Sequence, residues 1–522
     1  MAAESGVSSA KRISKSRKWH WWRQAVQILA LLLFLYFLLG TRQESVSAPH
    51  DIFFHLDPLA GIASMLAARS FIEPMLLGII TLLLTLAVAR AWCGWICPLG
   101  TLLDWTPARS PQRKSLDIPA FWRQGKYLLL FIILLAAILG SLTLIVLDPI
   151  TLLFRTIAGF VLPVLGSLLT GLESWLYGVS LFQPAVGWFD NLARGTLLTG
   201  QPFFVANVAL AVVFAAVLAL NAVRKRFWCR YLCPLGGLLG LVSKAAQIRH
   251  KVDEKKCIAC QHCALICPTG AIDPEQKFVA NSAECTACLD CMETCPQGAI
   301  TFSAQPGIDA HKRYDPSRRQ FLGTLGLAAA GAVLLRFMPL LGRKEAALIR
   351  PPGSSEALLQ SKCIRCGLCV RVCPTGVIQS SPNPRNGQSL WTPMLATRLG
   401  YCDYSCNACG QVCPTGAIEE LPLEEKRNRV IGIARIDQRR CIPWSEGREC
   451  IVCEEMCPVP QKAIHLNGGG SGNRGGRAGG VALPRVREEL CIGCGICEHQ
   501  CPVAGEAAIR IFPVNNEGIS QG

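Results

Sequence analysis

Residues 257–268 read C-I-A-C-Q-H-C-A-L-I-C-P, and residues 285–296 read C-T-A-C-L-D-C-M-E-T-C-P. Each half is C-x2-C-x2-C-x3-C-P, the thiolate spacing that holds a cubane [4Fe–4S] cluster. Thiolates are soft ligands suited to iron, and the two-residue gaps let three of them converge from one tight loop. In paired runs of this kind the fourth cysteine of each run ligates the other cluster. The expected sets are Cys257, Cys260, Cys263 and Cys295 for one cluster, and Cys285, Cys288, Cys291 and Cys267 for the other. A four-thiolate zinc site uses C-x2-C pairs, not triplets closed by Cys-Pro.

The same signature returns four times beyond residue 350. Cys363, Cys366, Cys369 and Cys373 keep the standard spacing, as do Cys491, Cys494, Cys497 and Cys501. Cys402, Cys406, Cys409 and Cys413 have three residues in the first gap, and Cys441, Cys450, Cys453 and Cys457 have eight. Each fourth cysteine precedes proline, and each motif runs into a strand-forming dipeptide: Val377-Ile378, Ala417-Ile418, Ala463-Ile464 and Ala508-Ile509. Spacing leaves open which of these motifs exchange their fourth cysteine. Residues 467–480 are glycine-rich and have the composition of a flexible linker. The chain holds 28 cysteines, every one in such a motif or in the pairs described next, so none is left for a disulfide framework. About six [4Fe–4S] clusters are expected.

Ahead of the first pair the chain has a different character. Of its 522 residues 51% are hydrophobic and 17% charged, with the apolar residues bunched into runs. Four runs approach the ~20 residues that cross a bilayer: 25–40, 72–91, 127–147 and about 203–223. Trp19, Trp21 and Trp22 sit where an interfacial belt would. The net charge of +16 is no sign of nucleic-acid binding, because the basic residues flank apolar runs and no basic–aromatic recognition motif is present. Lys11, Arg12, Lys15, Arg17, Lys18 and Arg23 precede the first run, and Arg224, Lys225 and Arg226 follow the fourth. Residues 90–126 carry six further basic residues, whereas 41–71 and 148–202 carry two each. The basic loops, and the first cluster pair with them, are expected in the cytoplasm. Residues 157–182 are also apolar, but a crossing there would put the two basic loops on opposite sides, so an interfacial or re-entrant helix is expected.

The membrane portion repeats itself. L-D-P-L-A-G at 56–61 precedes the second run, and C-G-W-I-C-P-L-G at 93–100 follows it. L-D-P-I-T-L at 147–152 precedes the fourth run, and C-R-Y-L-C-P-L-G at 229–236 follows it. Two duplicated membrane hairpins are the simplest account. Cys93 and Cys97, with Cys229 and Cys233, are spaced i, i+4, which on a helix turns both thiols to one side. These four thiols either share one cluster or metal, or form two redox dithiols.

Ser317-Arg318-Arg319-Gln320-Phe321-Leu322 opens an apolar stretch to Leu341. S-R-R-x-F-L is a twin-arginine export signature, and a domain whose clusters are assembled in the cytoplasm must cross already folded. Arg318 and Arg319 would be its signal residues, with Arg336 inside the run marking a retained tether; a plain fifth span is the alternative.

The fold class expected is an α-helical membrane domain of four main transmembrane helices in two repeated hairpins, plus α+β ferredoxin-like [4Fe–4S] domains. The divisions are 1–24, a basic cytoplasmic N-terminus; 25–250, the membrane domain; 251–305, a cytoplasmic two-cluster domain; 306–350, signal and tether; and 351–522, an exported four-cluster domain. On these motifs residues 20–305 resemble the NapH/MauN family of membrane quinol-dehydrogenase subunits. Residues 315–510 resemble the NapG/MauM family of exported ferredoxin-type proteins. The chain departs from both in joining them, with the export signal in the middle. The resemblance implies a bacterial inner-membrane, multi-pass protein with its C-terminal domain outside. Its substrate would be quinol from the quinone pool, and its partner an extracytoplasmic redox acceptor protein. His55, Asp57 and Asp148, at the outer L-D-P turns, are candidates to take the protons that leave quinol. His50 and His55 are alternative haem ligands lacking a partner span that bears histidine. Two other readings stand beside this one. The CxxxCP pairs with a two-cluster ferredoxin also resemble CcoG-type copper-reducing assembly factors, and the chain also suits an outward conduit for cytoplasmic ferredoxin electrons. No G-x-G-x-x-G lies between a strand and a helix, which argues against nicotinamide or flavin binding.

Overall fold

The computed structural model describes residues 18–41, 49–106, 120–178, 183–193, 207–305, 307–309, 318–337, 348–382, 389–467 and 481–514. The basic residues before Lys18, most of the basic loop after Trp105, the glycine-rich linker and the end of the expected tether lie outside them. The chain divides into two units: residues 1–33, 80–127 and 218–321, and residues 34–79, 128–217 and 322–522. The divisions fall inside or beside the apolar helices, so each unit collects segments from both sequence repeats.

In the first unit β1 (Ile248–Val252) pairs antiparallel with β2 (Ile300–Ala304), closing the ends of the tandem cysteine motif. Between them lie two short α-helices, His262–Ile266 and Asp290–Thr294, each beginning just before a third cysteine, and a 3-10 turn at Pro274–Gln276. A small core of Val252, Ala271, Ile272, Phe278, Ala280 and Ile300 packs against the cysteines themselves.

Among the described residues the second unit holds three more two-stranded antiparallel sheets. They are β3 (Ile378–Ser380) with β4 (Pro393–Leu395), β5 (Ile433–Ile436) with β8 (Ile509–Phe512), and β6 (Ile464–Asn467) with β7 (Leu483–Val486). Three of the four expected dipeptides open a strand, at Ile378, Ile464 and Ile509. Ala417-Ile418 does not; both are buried and pack with Leu359 and Cys363 instead. The β5–β8 pairing joins segments on either side of two cysteine motifs, so these two motifs form one folding unit.

Among the described residues two helices are long and apolar enough to cross a membrane, Lys18–Gly40 and Pro149–Tyr177. The first matches an expected span. The second covers most of the stretch 157–182, expected as an interfacial or re-entrant helix, and extends it toward the N-terminus to Pro149. Pro163 lacks the N–H that a continuous α-helix needs. A π turn at Ile157–Val161 lies just ahead of it and carries the helix through. The other expected spans are shorter as helices. The second is a 3-10 turn, Glu73–Leu77, followed by Gly78–Ala87. The third runs Gly125–Ile138 and stops at Gly140, whose φ of 78° places it in the left-handed region. Gly140 and Ser141 N–H groups turn back to Ala137 and Ala136 carbonyls, a glycine C-cap. The fourth is described over Asn207–Val223. The export-like segment forms the helix Arg318–Phe337.

Candidate functional site

The standard cysteine loops share one backbone. The residue before the second cysteine and the residue after it both have positive φ: Ala259 and Gln261, Ala287 and Leu289, Arg365 and Gly367, Gly493 and Gly495. For a residue with a Cβ this costs about 1–2 kcal/mol. Five of the eight are not glycine, so the loops hold this conformation against local preference. It turns three thiols inward from seven residues of chain. Buried backbone N–H groups then point at the sulfurs: Ala271 N to Cys267 Sγ at 3.3 Å, Ala299 N to Cys295 at 3.3 Å, Ile418 N to Cys413 at 3.4 Å and Ala434 N to Cys491 at 3.4 Å. Such donors favour thiolate over thiol.

Each cavity gathers thiols from two motifs. One of 320 Å³ is lined by Cys267, Cys285, Cys288 and Cys291. In the second unit a cavity of 430 Å³ is lined by Cys363, Cys366, Cys369 and Cys413. One of 380 Å³ has Cys441, Cys450, Cys453 and Cys501, and one of 320 Å³ has Cys457, Cys491, Cys494 and Cys497. Cys263 interacts with Cys260 and Cys295, and Cys409 with Cys402, Cys406 and Cys373. The exchange left open by spacing therefore runs between neighbours: Cys373 with Cys413, and Cys457 with Cys501. Burial pushes the Cys263 thiol up to about 11 and the Cys453 thiol up to about 12, with neighbouring thiols adding to it. Four mutually repelling buried thiolates need a cationic core between them. No three His, Cys, Asp or Glu side chains among the described residues are grouped closely enough to hold one ion. The thiols instead ring a void, which suits a polynuclear cluster. All 28 cysteines are free of disulfides.

The CxxxCP cysteines do not share a continuous helix, and the i, i+4 argument fails for that reason. Cys93 lies in the helix Ala91–Trp95, and Cys97 caps the next helix, Pro98–Trp105. Cys229 lies in Phe227–Tyr231, and Cys233 caps Pro234–Ser243. The residue before proline is forced extended, with ψ of 116° at Cys97 and 113° at Cys233. Three of the thiols interact directly, and Arg90 links the fourth, Cys233, to them. Cys97 interacts with Cys93 and Cys229, and Arg90 with Cys93, Cys229 and Cys233. Burial, then Cys93 and Cys229, raises the Cys97 thiol well above its ordinary value.

Two arginines that sequence reasoning counted only as flanking charge frame this quartet. Arg226 forks onto Asp104, Nε to Oδ1 at 2.8 Å and Nη2 to Oδ2 at 2.7 Å, and donates Nη1 to Cys93 O at 2.9 Å. Arg90 donates to Cys229 O at 3.4 Å and Ala283 O at 3.2 Å. The signal was present as R-x-W-C at 90–93 and again at 226–229. The quartet is joined to the tandem cluster motif: Arg90 N donates to Cys285 O at 3.1 Å and Trp95 Nε1 to Ala287 O at 2.9 Å. Gly94 makes this approach possible, since a Cβ there would lie 2.2 Å from Thr286 O. Behind the loop Glu284, 1% exposed, meets Lys126 at 2.5 Å, Arg123 at 3.3 Å and Arg90 at 3.5 Å.

Asp57 and Asp148 are both completely buried and both cap helices. Asp57 Oδ1 accepts from Leu59 N at 2.8 Å and Ala60 N at 3.3 Å. Asp148 Oδ2 accepts from Ile150 N at 2.9 Å and Thr151 N at 3.3 Å. The other oxygens, Asp57 Oδ2 and Asp148 Oδ1, have no N–H or hydroxyl partner. The two carboxyls lie close enough to interact with each other. Burial holds both above the ordinary carboxylate range, and the charge of Asp57 adds to this at Asp148. His55 Nε2 lies 3.3 Å from Asp51 Oδ2. His50 Nδ1 lies 3.2 Å from Phe37 O. Arg319 is exposed on its helix.

Comparison with known proteins agrees with the cysteine chemistry. Sequence families described as 4Fe-4S binding domains match residues 72–114, 206–252, 250–273 and 484–504, and 4Fe-4S dicluster domains match 284–378 and 362–417. The "methylamine utilization ferredoxin-type protein MauM" of Methylorubrum extorquens is 34% identical over 39% of this chain and 91% of its own length. The "ferredoxin-type protein NapG" of Escherichia coli is 34% identical over 38% of the chain and 86% of its own length. A "putative electron transport protein YccM" of Escherichia coli is 25% identical over 48% of the chain and 65% of its own length.

Proposed function

The chain belongs to the family of ferredoxin-type iron–sulfur proteins represented by MauM and NapG, and we propose that it is a membrane-bound electron conduit that oxidises quinol and delivers the electrons to an extracytoplasmic redox protein. In this reading a NapH/MauN-type membrane part and a NapG/MauM-type exported part are fused in one chain. Six [4Fe–4S] clusters occupy the four-cysteine sets described above. Cys93, Cys97, Cys229 and Cys233 share a seventh, a choice over two dithiols supported by the gathering of all four thiols around buried arginines. The clusters supply one-electron steps, and everything else falls to the protein. The Arg318-Arg319 segment carries the C-terminal domain outward and stays as a tether.

The observation that carries the quinol assignment is the Asp57–Asp148 pair. Quinol releases two protons with its two electrons, so a site that oxidises it needs a base in an otherwise apolar setting. Two interacting buried carboxyls that hold one proton between them have one carboxylate left to accept another. One aspartate comes from each sequence repeat, so the duplication itself creates the pair. His55, hydrogen-bonding distance from Asp51, is the next carrier outward in this scheme.

A second reading has its own support. In the first unit the tandem cluster motif is bonded directly to the CxxxCP loops, through Arg90 and Trp95. A cytoplasmic ferredoxin could feed electrons in there, making the protein an outward conduit for cytoplasmic reductant. The test is anaerobic. The oxidised protein in detergent is mixed with a reduced menaquinone analogue, and bleaching of the visible cluster absorbance is followed. Reduction on a catalytic timescale supports the quinol reading. If quinol leaves the clusters oxidised while reduced ferredoxin bleaches them, the second reading replaces it.

A further inference from the structure

One cluster cavity in the second unit takes a wall residue from outside the cysteine motifs. Arg155, 4% exposed, lies in the N-terminal part of the helix Pro149–Tyr177 and lines the cavity of Cys363, Cys366, Cys369 and Cys413. Its guanidinium is held on two sides: Nη1 donates to Arg365 O at 2.7 Å, and Nη2 to Trp391 O at 2.8 Å and to Ser380 Oγ. The third donor, Nε, is buried with no partner. A buried N–H left unpaired costs roughly 1–3 kcal/mol unless a ligand takes it up. The stem passes over Gly367, where a Cβ would lie 3.5 Å from Arg155 Cγ. The charge stands within electrostatic reach of Cys363, Cys369 and Cys366. The cavity also contains Arg365, but that residue belongs to the cysteine loop and donates to Cys363 O and Leu390 O. The cavities around Cys285, Cys453 and Cys497 have no arginine or lysine among their described lining residues.

We propose that Arg155 is a tuning residue for this one cluster: its Nε–H bonds a cluster or thiolate sulfur, and its charge raises the cluster's reduction potential. Reduction adds a negative charge to the buried cluster, and a fixed cation beside it in a medium of low dielectric stabilises the reduced form. Hydrogen bonds to the sulfurs act in the same direction. The proposal does not depend on which donor reduces the protein.

The test is a redox titration of the full-length protein in detergent, followed by electron paramagnetic resonance. The signal of this cluster is identified as the one lost in Cys366→Ser. Arg155→Gln removes the charge and Arg155→Lys keeps it while losing the Nε–H geometry. With iron content unchanged, Arg155→Gln is expected to move this signal alone to lower potential. A tenfold fall in its reduced-to-oxidised ratio at fixed potential, about 59 mV for a one-electron couple, is the expected scale. Arg155→Lys is expected to move it less. Unchanged potentials in both variants overturn the proposal, as does a shift in a different cluster. Loss of this cluster from both variants also overturns it, because Arg155 would then be holding the loop and not setting the potential.

Discussion

Arg90 and Arg226 stand three residues ahead of Cys93 and Cys229, and each donates to the carbonyl of the other repeat's cysteine. Arg226 Nη1 reaches Cys93 O at 2.9 Å, and Arg90 Nη2 reaches Cys229 O at 3.4 Å. The exchange is reciprocal, as expected of two halves related by duplication. Both side chains are buried, at 0% and 1% exposure, so neither is a solvated flanking charge.

The first prediction concerns this frame. Arg226 is the fork on Asp104, and a lysine supplies one point charge where two parallel bonds are needed. Arg226→Lys keeps a charge but loses the fork, whereas Asp104→Asn leaves the guanidinium buried without its counter-charge. Losing a partner of a buried pair costs about 3–5 kcal/mol. If the Cys93–Cys233 quartet holds the proposed seventh cluster, both variants should lose its iron while the C-terminal clusters stay loaded. Iron and acid-labile sulfide counts on the purified proteins check this. Full loading of Arg226→Lys would rule out the framing role.

The pairing of fourth cysteines makes a sharper prediction. Cys373 belongs by sequence to the motif that begins at Cys363, but it interacts with Cys402, Cys406 and Cys409. Cys413 belongs to the motif from Cys402 but lines the cavity of Cys363, Cys366 and Cys369. Cys373→Ser should therefore damage the same cluster as Cys406→Ser, and Cys413→Ser the same cluster as Cys366→Ser. Matching the lost resonance signals in the four variants decides it. The opposite matching would mean that each motif keeps its own fourth cysteine.

The cluster loops were legible because their spacing is the chemistry: three thiols must converge, and only certain gaps allow it. Ile378, Ile464 and Ile509 were legible as strand starts for the same local reason. Less could be read where the outcome depended on distant parts of the chain. Hydropathy marks apolar length but not where Gly140 ends a helix. The i, i+4 spacing of Cys93 and Cys97 reads as one helix until Pro98 is weighed against it. Arg90 and Arg226 read as loop charge because their acceptors are in the other repeat. Asp57 and Asp148 read as two helix caps, which they are, and nothing local in either sequence shows that they face each other.

A pH dependence follows from Glu284. Burial alone would raise this carboxyl, but Lys126, Arg123 and Arg90 together hold it below its ordinary value of 4.5. An acid whose folded value is depressed binds protons more weakly folded than unfolded, so its contribution is complete above 4.5 and is lost as pH falls through the lower, folded value. Acidification into that range should release iron from the first unit, whose loop Glu284 anchors. Glu284→Gln should remove the contribution at neutral pH, by about 3–5 kcal/mol for an uncompensated buried charge, and flatten this acid dependence. Iron release followed against pH for both proteins is the check. An unchanged acid profile in Glu284→Gln would assign the acid sensitivity elsewhere.

The Asp57–Asp148 pair allows folding and chemistry to be separated. Asparagine is about as good a helix N-cap as aspartate, so Asp148→Asn keeps the bonds from Ile150 and Thr151 N–H groups. It cannot take up a proton, and it removes the carboxyl that interacts with Asp57. If the pair receives protons from quinol, quinol-driven cluster reduction should fall by about 100-fold or more, the usual scale for losing a general base. Reduction by dithionite, which brings no protons to this site, should be unchanged, and so should iron content. The same should hold for Asp57→Asn, whose cap accepts from Leu59 and Ala60. An Asp148→Asn protein that quinol reduces at the original rate would exclude the pair as proton acceptor, leaving it a structural joint between the two repeats.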